Sequence, residues 1–208
     1  MYRVAEIFRS FQGEGANLGR PTLFVRMAGC NYWTGKEEDR KKAICRFCDT
    51  DFAARQSYDT IDALARAIKE QLHGEELIVF TGGEPLLQLG VPELVYLRGM
   101  LPCDLAIETN GSVGVSIPDG YWVTVSPKAR GTINLKECDE VKVVLPGDWR
   151  DAYHLEEALG DLPSQAKHLW VNPEDGGDVE RFWCLAKAIT HKTRWRVGIQ
   201  AHKFWGVQ

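Results

Sequence analysis

Three cysteines in one short stretch limit what this chain can become. Cys30 follows Gly29 at the end of the apolar run Thr22-Leu23-Phe24-Val25-Arg26-Met27, and fourteen residues later comes Cys45-Arg46-Phe47-Cys48-Asp49-Thr50. Two thiolates separated by two residues can grip one metal centre, and a third can reach it across the intervening loop. Three protein thiolates leave one coordination position open, which suits reaction chemistry better than a closed structural site. The fold therefore has to bring a strand end and a long loop to the same place.

With 208 residues, 44% of them hydrophobic and 26% charged, the chain has apolar material for one sizeable core, and a single domain over residues 1–208 is expected. A net charge of -4 gives no support to a nucleic-acid partner. No apolar run is long enough to span a membrane. The opening Met1-Tyr2-Arg3-Val4-Ala5-Glu6 lacks a signal-peptide pattern, which points to the cytosol. In a cytosolic chain, six cysteines of which three are clustered indicate metal or redox chemistry in preference to disulfides.

Residues 2–8 alternate in part and predict a short strand, followed by Ser10-Phe11-Gln12-Gly13-Glu14-Gly15, a glycine-flanked turn that exposes Glu14. Arg26 lies inside an apolar strand, where a charge needs a partner or a ligand. Residues 34–42 are densely charged and predict a solvated excursion within an extended cysteine loop at 30–48. Ile61, Leu64, Ala65, Ile68 and Leu72 share one helical face over 59–73, with Asp59 or Thr60 as the cap and Gly74 as the stop. Further helices are expected at 92–97 and 149–159, and along the stripe Val179, Phe182, Trp183, Ala186 and Ile189. Apolar strands are expected at 77–80, 105–108, 121–125, 141–145, 168–171 and 195–199, and Trp170, Trp183 and Trp195 are assigned to the core.

Strand, polar loop, helix, strand is the pattern of a parallel sheet covered by helices. Counting from residue 22, about six parallel core strands are expected, too few for a closed eight-stranded barrel. The fold class is α/β, a partial (open) TIM-type barrel. In such folds ligands sit at the carboxyl ends of the strands. The cysteine loop, Gly82-Gly83, Asn110-Gly111, Ser126-Pro127-Lys128 and Asn172-Pro173 all follow strand ends and would converge on one face.

The cysteines admit two chemistries. A zinc site would want a fourth ligand, yet Cys103, Cys138 and Cys184 are scattered and the five histidines show no paired spacing. An iron–sulfur cluster with one open iron matches the count of three thiolates better. Cys45-x-Phe47-Cys48, with an upstream cysteine leaving a strand, resembles the cluster loop of the radical S-adenosylmethionine superfamily. The usual spacing there is Cys-x3-Cys-x2-Cys, so the fourteen-residue first gap is a departure. Thr81-Gly82-Gly83-Glu84-Pro85 resembles the superfamily's second motif, which holds the amino group of the methionine moiety. Within the superfamily, Phe11-Gln12-Gly13-Glu14-Gly15, Phe24-Val25-Arg26-x-x-Gly29-Cys30, Cys48-Asp49-Thr50, Glu108-Thr109-Asn110-Gly111 and Ser126-Pro127-Lys128 together resemble the 7-carboxy-7-deazaguanine synthase family of queuosine and deazapurine biosynthesis. The likeness covers nearly the whole chain in the family's motif order, and some members share the extended first gap.

That resemblance implies a 4Fe-4S cluster on Cys30, Cys45 and Cys48 and S-adenosyl-L-methionine bound at its open iron. It implies a lyase reaction, the radical-mediated ring contraction of 6-carboxy-5,6,7,8-tetrahydropterin with loss of ammonia. Phe47, Gly82, Gly83, Glu84, Asn110, Ser126, Pro127, Lys128, Asn172, Pro173, Glu174 and Asp175 would hold S-adenosylmethionine. The pterin would meet Phe11, Gln12, Gly13, Glu14, Arg26, Thr81 and His202, with Glu14 accepting from an aminopyrimidinone edge and Arg26 forking onto the carboxylate. Thr50, by propensity a capping threonine, would in this family ligate Mg2+. An electron donor such as a flavodoxin or ferredoxin, and a homodimer, are further expectations. The tail from Gln200 is expected to line the substrate pocket. Two other readings stand beside this one: an activase that installs a glycyl radical on a partner protein, and a zinc-stabilised binding module without turnover.

Overall fold

The structure, a computed structural model, describes residues 1–74, 77–191 and 193–207. Gln208, the last residue of the tail, lies outside the described residues. In chain order the elements are β1 (Tyr2–Phe11), β2 (Pro21–Met27), β3 (Gln56–Tyr58), α1 (Ile61–Glu70), β4 (Leu77–Gly82), α2 (Val91–Met100), β5 (Asp104–Thr109), β6 (Tyr121–Val125), β7 (Glu140–Leu145), α3 (Ala152–Leu159), α4 (Leu162–Gln165), β8 (His168–Pro173), α5 (Val179–Thr190), β9 (Arg196–Val197) and α6 (Ala201–Trp205).

Among the described residues nine strands form one sheet in the order β3-β1-β2-β4-β5-β6-β7-β8-β9. From β2 to β9 every pairing is parallel, while β1 runs antiparallel to β2 and β3 antiparallel to β1. The two edge strands do not pair with each other, so the sheet is open. Among the described residues seven strands are parallel, β2 and β4 to β9, one more than the six counted, and the last of them has only two residues. The strand expected over 195–199 is therefore shorter than its apolar content suggests. Conversely, the strand expected over 2–8 runs on to Phe11, held by pairing of Ser10 with Thr22 and Phe11 with Pro21.

Alternation along the strands sets the two faces. Leu23, Val25 and Met27 of β2, Ile78 and Phe80 of β4, Leu105 and Ile107 of β5, and Val141, Val143 and Leu145 of β7 belong to the helix-covered core. Their alternating neighbours point the other way. The lower part of that second face is apolar, with Phe24, Leu77, Val79 and Ala106 packed with Phe8 and Trp122. Toward the carboxyl ends it turns polar, through Arg26, Thr81, Glu108 and Lys142. One face thus builds stability and the other builds a site.

The helices start where side chains can satisfy free backbone N–H groups. Thr60 accepts from Ala63 N at the head of α1, Asp151 from His154 N before α3, and Asp178 from Arg181 N before α5. The helix expected over 149–159 begins at Ala152, leaving Trp149 nearly fully buried in the core ahead of it. Trp183, expected in the core, is 47% exposed on α5. No helix bridges β5 to β6 or β6 to β7. Instead Val113, Val115, Ile117, Ile133 and the buried Leu135 pack onto the core from irregular chain. Among the described residues no helix is long and apolar enough to cross a membrane.

Candidate active site

At the end of β2 the chain turns at Gly29, whose φ of 84° favours glycine, and delivers Cys30. The turn after β4 is stitched to it: Gly83 N donates to Met27 O (3.1 Å) and Glu84 N to Gly29 O (2.9 Å). A Cβ on Gly83 would collide with Gly29 O, so glycine here permits the close approach of two backbones. Cys30, Cys45 and Cys48 all line one cleft of about 180 Å³, together with Phe47, Thr50, Gly82, Gly83, Asn110, Ser126, Lys128, Glu174 and Asp175. Among the described residues no three His, Cys, Asp or Glu side chains converge closely enough to hold one metal ion. The Cys45 thiol hydrogen-bonds the Cys48 sulfur, which lowers the Cys48 pKa and raises that of Cys45. Burial raises the Cys30 pKa.

The loops at the other strand ends complete the cleft. Lys128 Nζ donates to Ser126 O (2.8 Å) and lies 5.9 Å from the centre of the Phe47 ring. Asn110 is fixed by its own contacts, Nδ2 to Asn31 Oδ1 (3.1 Å) and Oδ1 from Ser112 N (2.9 Å). Four residues expected to meet a ligand here do not line the cleft. Glu84 is fully buried and accepts from Leu86 N (3.0 Å), Thr109 Oγ1 (2.8 Å) and Asn110 N (2.8 Å). It ties the β4 loop to the β5 loop, because a buried carboxylate is stable only where donors surround it. Pro127 is buried between the lining residues Ser126 and Lys128. Asn172 is fully buried, and its amide has no protein partner. Pro173 follows it, and the lining resumes only at Glu174 and Asp175.

A second chamber adjoins the first and shares Asp49, Thr50, Thr81, Gly82, Glu108 and Gln200 with it. Phe11, Gln12, Gly13, Glu14, Arg26, Thr81 and His202, the residues expected to meet a substrate, all line it. Arg26 Nε donates to Glu6 Oε1 (2.7 Å), and its guanidinium sits 5.3 Å from the Phe8 ring centre. The His202 ring packs onto Gly13, where a Cβ would clash, and Ala201 N donates to Gly13 O (2.8 Å). The tail thus forms one wall, latched by Lys203 Nζ to Asp49 (2.7 Å) and Asp175 (2.9 Å).

Beneath the chamber lies a charge network that sequence reasoning did not find. The buried Lys142 ammonium pairs with Glu14 and lies 3.7 Å from Glu108. Glu108 also accepts from Gln12 Nε2 (3.0 Å) and Thr81 Oγ1 (3.3 Å). Burial alone would raise the Glu14 pKa, but the charge and hydrogen bond of Lys142, aided by Gln200 and His202, bring it below the usual carboxylate value. Lys142 stands among Val141, Val143 and Val144, the same charge-in-a-strand signal that singled out Arg26.

No protein-family model matches the chain. It is 40% identical to the 7-carboxy-7-deazaguanine synthase of Nitratidesulfovibrio vulgaris and 39% identical to that of Burkholderia multivorans, with 99% of each chain covered in both cases. The crystal structure of QueE from Escherichia coli superposes with a TM-score of 0.72 at 26% identity, over 97% of this chain and 94% of that one. Three clustered thiols, two conjoined chambers at the strand ends and end-to-end likeness lead to one conclusion: this chain belongs to the 7-carboxy-7-deazaguanine synthase family.

Proposed function

We propose that this protein is a radical S-adenosylmethionine lyase that converts 6-carboxy-5,6,7,8-tetrahydropterin to 7-carboxy-7-deazaguanine with release of ammonia, in queuosine or deazapurine biosynthesis. The observation that carries the reading is the shared wall between the two chambers, which puts a cysteine-lined cleft beside a polar pocket at Thr50, Thr81, Gly82 and Glu108. With cluster and S-adenosylmethionine bound, the first chamber supplies a 5′-deoxyadenosyl radical able to take a hydrogen atom from substrate in the second. Cys30, Cys45 and Cys48 would hold the 4Fe-4S cluster. Three thiols on one cleft leave one coordination position without a protein thiol, which suits a cluster with an open iron better than a closed zinc site.

The chain's own groups do the binding and orienting. Gly82 and Gly83 let backbone approach the methionine end, Lys128 offers charge to its carboxylate, and Glu174 and Asp175 flank the adenine side. Glu84 acts by holding the β4 and β5 loops in register. Gln12 and Glu14 read the aminopyrimidinone edge, and Lys142 keeps Glu14 ionised for that task. Arg26 takes the substrate carboxylate, and Thr50, on the shared wall, offers an oxygen to Mg2+.

We also read the open sheet as a partial barrel, since from β2 onward the strands follow chain order without reversal. Six free cysteines accord with the reducing cytosol. The single domain, the flavodoxin- or ferredoxin-type donor and the homodimer complete the proposal. Anaerobic purification followed by metal analysis tests its foundation. Iron with acid-labile sulfide is the expected result, and stoichiometric zinc would replace this reading with the binding-module one.

A further inference from the structure

Segment 31–44, the whole of the lengthened gap between Cys30 and Cys45, is not a loose excursion. Ile44 N donates to Tyr32 O (2.9 Å), closing the loop at its neck. Trp33, Ala43 and Phe52 form a small buried cluster against which Cys30 and Cys48 pack. Across this cluster lies Arg40. Its guanidinium stacks 4.1 Å from the Trp33 ring centre, and its Nε is gripped by both Glu37 oxygens (2.6 and 2.8 Å). Its Nη1 donates to Arg46 O (2.8 Å) and Cys48 O (3.0 Å). These are two carbonyls of the Cys45–Cys48 turn itself, which without Arg40 would face solvent or each other.

We propose that segment 31–44 is a built-in brace and that Arg40 is a positioning residue, holding the Cys45–Cys48 turn in ligating shape and placing a fixed positive charge beside the cluster site. Only an arginine fork can stack on Trp33, pair with Glu37 and donate to the turn at the same time. The brace explains how a fourteen-residue gap still yields a defined site. It rests on the cluster assignment above for its redox consequence, though not for its structural one.

The test uses the full-length protein with Arg40→Gln, Arg40→Lys and, as a control on the same segment, the exposed Lys42→Gln. Three quantities are read: amide exchange at residues 45–50, the rate of iron loss to a chelator, and the midpoint potential of the cluster. Arg40→Gln removes both hydrogen bonds to the turn and should speed exchange and iron loss by at least about tenfold, the factor for one charge-assisted hydrogen bond. It should also make the potential more negative, since a cation is removed. Arg40→Lys keeps the charge, so it should restore the potential while exchange and iron loss stay fast. Wild-type exchange and iron loss in Arg40→Gln would overturn the proposal, as would an equal effect from Lys42→Gln. Should Arg40→Gln fail to fold, Glu37→Gln loosens the same guanidinium and must speed exchange and iron loss by less, while the potential, with an anion removed and the cation kept, must not become more negative. A wild-type protein devoid of iron would remove the function proposed above, and the exchange measurement would still decide whether Arg40 holds the turn.

Discussion

Lys142→Met removes the ammonium that faces Glu14 and Glu108 beneath the substrate chamber. Its side chain is 7% exposed and that of Glu14 12%, so solvent screens the pair little. Breaking a buried pair by deleting one partner costs about 3–5 kcal/mol, because the remaining charge is left uncompensated. For a chain of 208 residues, about 2–4 °C per kcal/mol, that is a fall in Tm of about 10 °C. The pH dependence separates this cause from simple loss of packing. In the wild type the folded-state pKa of Glu14 is depressed, so its contribution is present above the unfolded carboxylate pKa and fades as pH falls through the depressed value. In Lys142→Met burial dominates and raises that pKa, so the contribution is present at low pH and lost as pH rises. Differential scanning at about pH 5.5 and about pH 8 should show the gap between the two proteins widening toward the higher pH. Adding Glu14→Gln to Lys142→Met should recover part of the loss. A gap independent of pH, with no recovery in the double variant, would refute the charge-network account.

Three further outcomes follow from the geometry. Gly83→Ala drives a methyl into Gly29 O beside Cys30, so iron and sulfide content after reconstitution should fall to about half or less while circular dichroism stays unchanged. Thr50→Ala should weaken the dependence of turnover on added magnesium; an unaltered magnesium titration would count against its role as a ligand. Lys203→Met cuts the half-exposed latch to Asp49 and Asp175, so Tm should move by less than about 3 °C while KM for the pterin rises several-fold; unchanged KM would show that the tail is a passive wall.

What could be read from residues alone divides along physical lines. Strand ends rich in glycine and cysteine were legible, because close backbone approach and metal ligation each demand particular residue types. The α/β class was legible from the apolar strands, but the length of the last was not, since β9 keeps only Arg196–Val197 of the expected 195–199. Lys142 was visible as a charge within a strand, yet its partners Glu14 and Glu108 come from elements far away in sequence. Glu84 looked like a ligand group because it adjoins Gly82-Gly83, and only the fold shows its oxygens turned toward Thr109 and Asn110. Trp183 satisfied the helical stripe but lies on its edge, where a large side chain stays half in solvent. The two helix-free crossovers left no positive signal, because Val113, Val115 and Ile117 pack as irregular chain.

Central to the account is the transfer of a hydrogen atom across the wall where Thr81, Gly82 and Glu108 serve both chambers. Anaerobic incubation of the iron-loaded protein with reductant, S-adenosylmethionine and 6-carboxy-5,6,7,8-tetrahydropterin measures it directly. Accumulation of 7-carboxy-7-deazaguanine with release of ammonia is the expected result. Cleavage of S-adenosylmethionine with the pterin recovered intact would contradict it.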